Sequence, residues 1–499
     1  MTYSGTFLTS REINNMKAWK YSVTDDSIST KLLTPFWEFA VGFIPAHVAP
    51  NVISLAGLLC NILAWYSCEV WIDRVPRAAA ALAMMLMFIY QTLDALDGKH
   101  ARRTGNGSPM GELFDHACDN VGVIFIVQSL CLVLGVEDHA TQWHLVQIAQ
   151  LTFLDSHLTA FVSKNVKFSA FAGPGEAIWG CMLVMCIRAV FGIDWLWSHV
   201  VTPATLAEIV RHGYGIIMFA TLAKGLLTLP NGNEYFATKF GLGLVFLLRA
   251  FRAVLFYEGR GWWWGAPLDH PHTMLLTIII DGLFMSVVTS DLIVAKMASR
   301  QLHTFVAITA MVSVFSNVLT LVLCVGYYIR VFHEISKGLH LPLFIPIVNI
   351  FVDGVYDLCH VDHHLQIQFA AQHGDRVFVG VVPDEEAKGY KREPIMTERE
   401  REESVRANKD TYMVVKSPAS GVTEEMLRKL NIHKVVVGEE YCDPSNAKLY
   451  AYYEPARRVC EVVPKPRGGI LSTSALIQRV LDKAPQEMWD KAAAKRASK

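Results

Sequence analysis

Ten cysteines are scattered through 499 residues, yet no two of them form a C-x-x-C pair. That absence excludes the usual spacing of a zinc site or a redox motif. Cys60, Cys131 and Cys181 sit inside apolar segments and are expected to be small buried hydrophobes, not parts of a disulfide framework. The formal net charge is only -1, which argues against a nucleic-acid partner. The opening stretch, MTYSGTFLTSREINNMKAWKYSV, has no apolar core. No cleavable signal peptide is expected there, and the first spanning helix would itself direct insertion.

What the chain does have is apolar length. Its mean hydropathy is +0.29. The apolar residues crowd before about residue 335 in runs near the ~20 residues that cross a bilayer. Residues 1–33 read as a polar surface segment, and 34–48, TPFWEFAVGFIPAHV, as a helix lying in the membrane interface. Nine spans are expected, at roughly 52–72, 76–95, 111–135, 143–163, 176–194, 206–228, 236–257, 272–297 and 303–330, with a tenth short one allowed. The basic loop 99–103, KHARR, places that end on the cytosolic side. Gly261 to Gly265, GWWWG, reads as an interface anchor, or as an aromatic cage for a quaternary ammonium. Residues 331–347 read as a connector. From 348 the pattern changes to strands alternating with helices, as in a soluble Rossmann-like α/β domain with a parallel sheet. There VNIFVDG, RVFVGVVP and HKVVVGEE are expected strands. QIQFAAQHG is a helix capped by Gly374, and 473–485 is a last helix before a tail from 486 to 499. The organisation expected is an interfacial segment 1–48, a membrane domain 49–335 and a soluble domain 348–485.

Chemistry concentrates at LDALDGKHARRTGNGSPMGELFDHACDN. Asp94 and Asp97 are three apart and Asp115 and Asp119 four apart, so each pair shares one helix face near a membrane end. Carboxylates near bilayer depth are costly and mark function by default. Four together repel unless cations lie between them, and hard divalent ions suit both carboxylate and phosphate oxygens. Gly98 and Ala101 leave room for a close-approaching substrate, and Lys99 and Arg102 can neutralise phosphate oxygens. A set of helix caps is the plain alternative.

The pattern Asp94-x2-Asp97-Gly98-x2-Ala101-Arg102-x8-Gly111-x3-Asp115-x3-Asp119 resembles the CDP-alcohol phosphotransferase signature at every fixed position. FIPAHVAPNVISLAG, FIYQTLDALDGKHARRT and PMGELFDHACDN further resemble eukaryotic choline/ethanolamine phosphotransferases. The resemblance implies transfer of a phosphoalcohol from a CDP-alcohol to diacylglycerol, releasing CMP. It implies two Mg2+ or Mn2+ ions on Asp94, Asp97, Asp115 and Asp119, and a cytidine-side Asn51. Gly98, Ala101, Arg102 and Gly111 would line the substrate. His116 would be the general base and Glu176 its orienting partner, although a satisfied helix histidine and a helix-start charge remain open for these two. His157 also matches a family position and is given no role. A homodimer in an endoplasmic reticulum or Golgi membrane, with its sites facing the cytosol, is the expected setting.

In the soluble domain, His360 and His363 lie three apart at a helix start after a strand and a glycine turn, a place that suits a triphosphate. A metal pair and core histidines are the alternatives. This domain resembles the cytidylyltransferases that make CDP-choline or CDP-ethanolamine from CTP and phosphocholine or phosphoethanolamine. The resemblance implies a catalytic His360, His363 and Lys391. Glu400 and Arg401 would stand for the family's E-R pair, and Arg467, Thr473 and Ser474 would be further substrate contacts. Three residues depart from the family pattern: Asp362 stands for a motif glycine, Gly468 for a threonine and Val437 for a histidine. At ~4 Å the added charge of Asp362 would oppose a phosphate by up to ~4 kcal/mol before screening. Three readings follow. One is a bifunctional enzyme, with fusion raising the local donor concentration. The second is a phosphotransferase with an inactive, regulatory second domain. The third is a transporter with a nucleotide-binding regulator.

Overall fold

The computed structural model describes residues 5–20, 22–168, 173–199, 202–230, 232, 235–257, 271–390, 393–418, 421–466 and 469–483. The chain divides into two compact units, Met1–Pro346 and Ile347–Lys499.

The first unit opens with α1 (Ser10–Lys17), strand β1 (Val23–Asp25) and α2 (Ile28–Val41). Four long helices follow: α3 (Pro50–Trp71), α4 (Pro76–Thr104), α5 (Pro109–Leu134) and α6 (His139–Ser163). Next comes β2 (Val166–Phe168), paired in parallel with β1. The unit continues with α7 (Pro174–Phe191), α8 (Ile193–His199), α9 (Pro203–Thr228), α10 (Phe236–Tyr257), α11 (Pro271–Ala298), α12 (Thr304–Phe315) and α13 (Asn317–Leu339). Proline opens α3, α4, α5, α7 and α9 at the first turn, where its missing N–H has no intrahelical partner to lose. Gly105 and Gly135 end α4 and α5 at φ 67°, a left-handed conformation that costs glycine little.

Among the described residues six helices are long and apolar enough to cross a membrane: α3, α4, α5, α7, α11 from Thr273, and α13. The other expected spans are helical but more polar. Helix α10 carries Lys239, Arg249 and Arg252; α9 carries Glu208, Arg211 and Lys224. Helix α6 carries Gln142, His144, Gln147, Gln150 and His157. Leu59, Leu63, Ile216 and Phe219 are exposed, as residues facing lipid would be. Helix α11 is the centre of the bundle, with 89% of its apolar window buried.

Several expectations are corrected. Residues 99–103 are not a loop: α4 runs 29 residues, roughly 43 Å, and carries Asp94 to Arg102 in its last three turns. Lysine, alanine and arginine all favour helix, and only Gly105 stops it. The span expected at 303–330 is two helices. Ser316 is extended between them, and its side chain accepts from the N–H of Leu319 to start α13. Helix α13 then continues to Leu339, inside the expected connector. Nor is the N-terminal segment merely surface. Phe7, Leu8, Ile13 and Met16 are buried, and the buried Glu334 accepts from the N–H groups of Thr6, Phe7 and Leu8 at 2.7, 3.0 and 3.0 Å. The GWWWG stretch lies outside the described residues.

The second unit contains β3 (Asn349–Gly354), α14 (Val361–Ala371), β4 (Arg376–Val381), α15 (Asp384–Tyr390) and α16 (Glu398–Arg406). It continues with β5 (Thr411–Lys416), α17 (Glu424–Lys429), β6 (Lys434–Gly438), α18 (Ala447–Tyr452), α19 (Glu454–Val459), β7 (Glu461–Lys465) and α20 (Thr473–Lys483). The sheet is parallel throughout, in the order β5-β4-β3-β6-β7. Alternate residues of β3 feed two cores: Ile350 and Val352 pack with Ile367 and Val405, while Phe351 packs with Leu427 and Ala456. Both faces are thus covered, as a parallel sheet requires. The edge strands β5 and β7 escaped the sequence reading because their residues are partly exposed and mixed in character. Gly374 is not the cap of α14, which ends at Gln372. A Cβ at Gly374 would meet the Val348 carbonyl and the Ile350 side chain at 2.8 Å, so close approach to β3 explains that glycine.

Candidate active sites

Helices α3, α4 and α5 pack together, and their facing residues build the first site. Asp94 and Asp97 come from α4, Asp115 and Asp119 from α5. The carboxyl groups meet in two couples, each within hydrogen-bonding reach: Asp94 with Asp119 and Asp97 with Asp115. Such couples hold together only with a proton or a cation between the oxygens. Two side chains that the sequence reading missed fasten them. The Ser54 hydroxyl donates to Asp97 Oδ2, and the Tyr90 hydroxyl donates to Asp119 Oδ1 at 3.0 Å. A helical period could have found both: Ser54 lies one turn after Asn51, and Tyr90 one turn before Asp94.

His116 is buried beside His157, with ring centroids 4.9 Å apart. Asp115, His116 and Asp119 each offer a ligand atom within 4.8 Å of the others. Asn51 donates to the Leu343 carbonyl at 2.7 Å, and its Oδ1 faces Gly111, where an added Cβ would stand 3.5 Å away. Ala101 is half-buried and Arg102 exposed, on the same end of α4. Lys99 pairs with Glu38 at 3.8 Å. Glu176 lies in the first turn of α7. Its Oε1 accepts from the N–H and the hydroxyl of Ser29 at 2.9 and 2.8 Å. These bonds fasten it to the start of α2.

Gly98 gives a test of what the site is for. A Cβ there would meet only the Arg102 guanidinium, at 3.4 Å, an ordinary contact. Protein packing therefore does not demand glycine in mid-helix, where it costs about 1 kcal/mol relative to alanine. Gly98→Ala is expected to leave the melting temperature unchanged or raised, while a ~1 Å displacement of bound substrate lowers turnover about 100-fold. Thermal unfolding and turnover measured on one preparation would check this. Equal activity would show that no ligand approaches there.

A cavity of about 490 Å³ is walled by α3, α5 and α13. Leu55, Leu58, Phe114, Ala117, Val121 and Phe332 make it apolar, and His333 and Ser336 add polar groups. On α5 its wall is the stripe 114, 117, 121, roughly 150° around the helix from 115 and 119, while on α3 Leu55 and Leu58 lie on the same face as Asn51 and Ser54. The oily compartment and the acidic cluster thus share α5, and α3 links them through Ser54, which donates to Asp97.

The second site lies at the carboxyl end of β3, next to the switch in strand order between β3 and β6, where open α/β sheets bind ligands. In the turn after β3, Tyr356 and Leu358 hold left-handed conformations, φ 56° and 58°. Such strain, about 1–3 kcal/mol each, persists only where the surroundings impose it. His360 and His363 stack with centroids 3.9 Å apart, and His360 Nε2 lies 3.2 Å from the Thr473 hydroxyl. Burial holds His360 below the ordinary imidazole value against the pull of Asp362, so it is neutral near pH 7. Ser474 is exposed at the start of α20. Glu400 caps α16 through Thr397. Arg401 is fully buried, donates to the carbonyls of Val355 and Val382 at 2.6 and 2.8 Å, and pairs with Asp384 at 2.5 Å. It ties together the loops that follow β3 and β4. Lys391 and Arg467 lie outside the described residues.

Residues 47–212 match the CDP-alcohol phosphatidyltransferase family, and residues 351–479 match the Cytidylyltransferase-like family. An uncharacterized CDP-alcohol phosphatidyltransferase class-I family protein 2 of Dictyostelium discoideum is 33% identical over 198 residues, which is 39% of this chain and 48% of that one. Cholinephosphotransferase 1 of Gallus gallus is 34% identical over 167 residues, 32% of this chain and 50% of that one. The chain thus spans about half the length of these two relatives. Cholinephosphotransferase 1 of Rattus norvegicus is 24% identical over 316 residues, 59% of this chain and 76% of that one. One polypeptide here joins a CDP-alcohol phosphatidyltransferase domain to a cytidylyltransferase-like domain.

Proposed function

We propose that the second unit joins CTP to phosphoethanolamine or phosphocholine, releasing pyrophosphate, and that the first unit transfers the phosphoalcohol from the resulting CDP-alcohol to diacylglycerol, releasing CMP. The observation that carries the reading is the meeting of four carboxylates from α4 and α5, in a unit that also holds an apolar cavity walled by α3, α5 and α13. A transferase joining a charged diphosphate donor to a lipid alcohol needs both a cation-holding cluster and an apolar compartment.

Asp94, Asp97, Asp115 and Asp119 would hold divalent cations, Mg2+ or Mn2+. The donor set fits, because facing carboxylate couples offer the oxygen-only ligands that hard cations take. Bound there, two such ions would neutralise the charge that develops on a diphosphate. The chain's own residues do the rest. Ser54 and Tyr90 hold the carboxylates in place. Asn51, fixed by Leu343, presents its side chain beside Gly111 for the cytidine end of the donor. The cavity receives the acyl part of the acceptor and keeps water from its hydroxyl. His116 takes the hydroxyl proton as the new oxygen–phosphorus bond forms and the bond from phosphorus to the CMP oxygen breaks.

The match to the cytidylyltransferase-like family, together with the His360, His363 and Thr473 cluster at the sheet's carboxyl edge, supports the first reaction. The test uses purified full-length protein in vesicles containing diacylglycerol, supplied with CTP, Mg2+ and either phosphoalcohol. Phospholipid is expected without added CDP-alcohol. Product only when CDP-alcohol is supplied would leave the transferase and remove the first reaction.

A further inference from the structure

Asp362 is the residue of the second site that the proposed reaction leaves unexplained. It stands in the first turn of α14, between His360 and His363. Its carboxylate reaches across 108 residues of sequence to the segment before α20. There Oδ1 accepts from the N–H of Ile470 at 2.9 Å and Oδ2 from the N–H of Leu471 at 2.6 Å. Two successive backbone N–H groups aimed at one carboxylate form an anion-binding arrangement. The approach is closely fitted: a Cβ at Gly469 would stand 3.2 Å from Asp362 Oδ2, tighter than ordinary contacts.

The place matters as much as the bonds. Thr473, three residues after Ile470, touches His360, and His360 stacks on His363. The amide pair therefore belongs to the same pocket edge as the histidines, at the end of β3 where a ligand docks. Burial would raise the carboxyl of Asp362, but the two N–H groups, with His360 and Lys465 nearby, hold it below the usual carboxylate range. It is thus ionised at neutral pH, and two of the donors best suited to a phosphate already carry a negative group.

We propose that Asp362 is an internal stand-in for a nucleotide phosphate, a latch that closes the anion site of the second unit and that a nucleoside triphosphate must displace to bind. This rests on the nucleotide-binding reading of that unit. When the latch opens, the carboxylate gives up both N–H groups, swings out to solvent, and phosphate oxygens take its place. Closure lowers apparent affinity by the fraction of molecules in the open state. The donor-making site then responds only to a high triphosphate concentration, whereas the membrane site does not depend on the latch.

The test uses the full chain in lipid nanodiscs, with CTP as the probe. Asp362→Ala removes the carboxylate while keeping a helix-favouring residue. It is expected to bind CTP about 10-fold or more tightly than the parent protein by titration calorimetry. Asp362→Asn keeps the shape and one acceptor oxygen and is expected to fall between the two. Hydrogen exchange gives a reading independent of affinity. The amides of Ile470 and Leu471 should be protected in the parent without nucleotide, exchange fast in Asp362→Ala, and become protected again when CTP is added. Equal CTP affinity in parent and Asp362→Ala, with unchanged exchange at those two amides, would overturn the latch and leave the nucleotide reading standing. Absence of CTP binding in both proteins would overturn the nucleotide reading and the latch with it.

Discussion

Asp119→Asn is expected to lower CMP release by about 1000-fold, the scale on which removal of one charge-stabilising group slows transfer reactions. The substitution keeps size and shape, and the Tyr90 hydroxyl can still donate to the amide oxygen as it does to Asp119 Oδ1. What changes is charge. Asp119 faces Asp94 across the helix pair, and without a cation two carboxylates at that distance repel. The cation-free protein should therefore melt at the same temperature or higher after the change, while the added stability that Mg2+ confers on the parent should shrink. A helix-capping role makes the opposite forecast, because removing a cap costs about 1 kcal/mol with no dependence on metal. Thermal unfolding with and without Mg2+, set beside CMP release, separates the two. A lower melting temperature with activity retained would remove Asp119 from the site.

The second large effect concerns stability. Asp281 in α11 is fully buried and lies 3.0 Å from Arg249 Nη1 and 3.1 Å from Arg252 Nε, both arginines of α10. Trp143 of α6 donates to it at 2.8 Å. Arg249 also reaches Ser313 of α12, and Arg252 reaches Asn317 of α13. One carboxylate thus organises four helices around α11. Its removal leaves two buried cations uncompensated, and breaking a buried pair in this way costs about 3–5 kcal/mol. Asp281→Ala is expected to give little folded protein and a melting temperature lower by roughly 10 °C, given about 2–4 °C per kcal/mol for a domain of this scale. Asp281→Asn keeps the volume and the bond from Trp143, and is expected to lose nearly as much, because the charge is the missing quantity. Thermal unfolding of the purified variants decides. If Asp281→Asn melts within about 2 °C of the parent, the arginines have another counter-charge and the central role of Asp281 fails.

This buried cluster also explains why α10 reads poorly as a span. Three cations lower its hydropathy, and two of them pair with Asp281 of another helix. The break at Ser316 has a related origin, since Ser313 and Asn317, on either side of it, both hold arginines of α10. In each case a local reading of hydropathy meets a demand set by distant partners.

What the sequence by itself determined is what depends on neighbours along the chain. The residue types and spacings of Asp94, Asp97, Asp115 and Asp119, the proline starts and glycine stops of the helices, and the switch from long apolar runs to alternating strands are all short-range. They follow from sterics and periodicity within a few turns. Only the tertiary structure decided which groups meet. It paired Asp94 with Asp119 and Asp97 with Asp115, brought Ser54 and Tyr90 to them, walled an apolar cavity with α3, α5 and α13, and gave Arg401 and Glu176 partners that spacing does not show. It also closed Asp362 onto two amides far along the chain. These contacts arise from packing across tens to hundreds of residues, where spacing in sequence carries no information about distance in space.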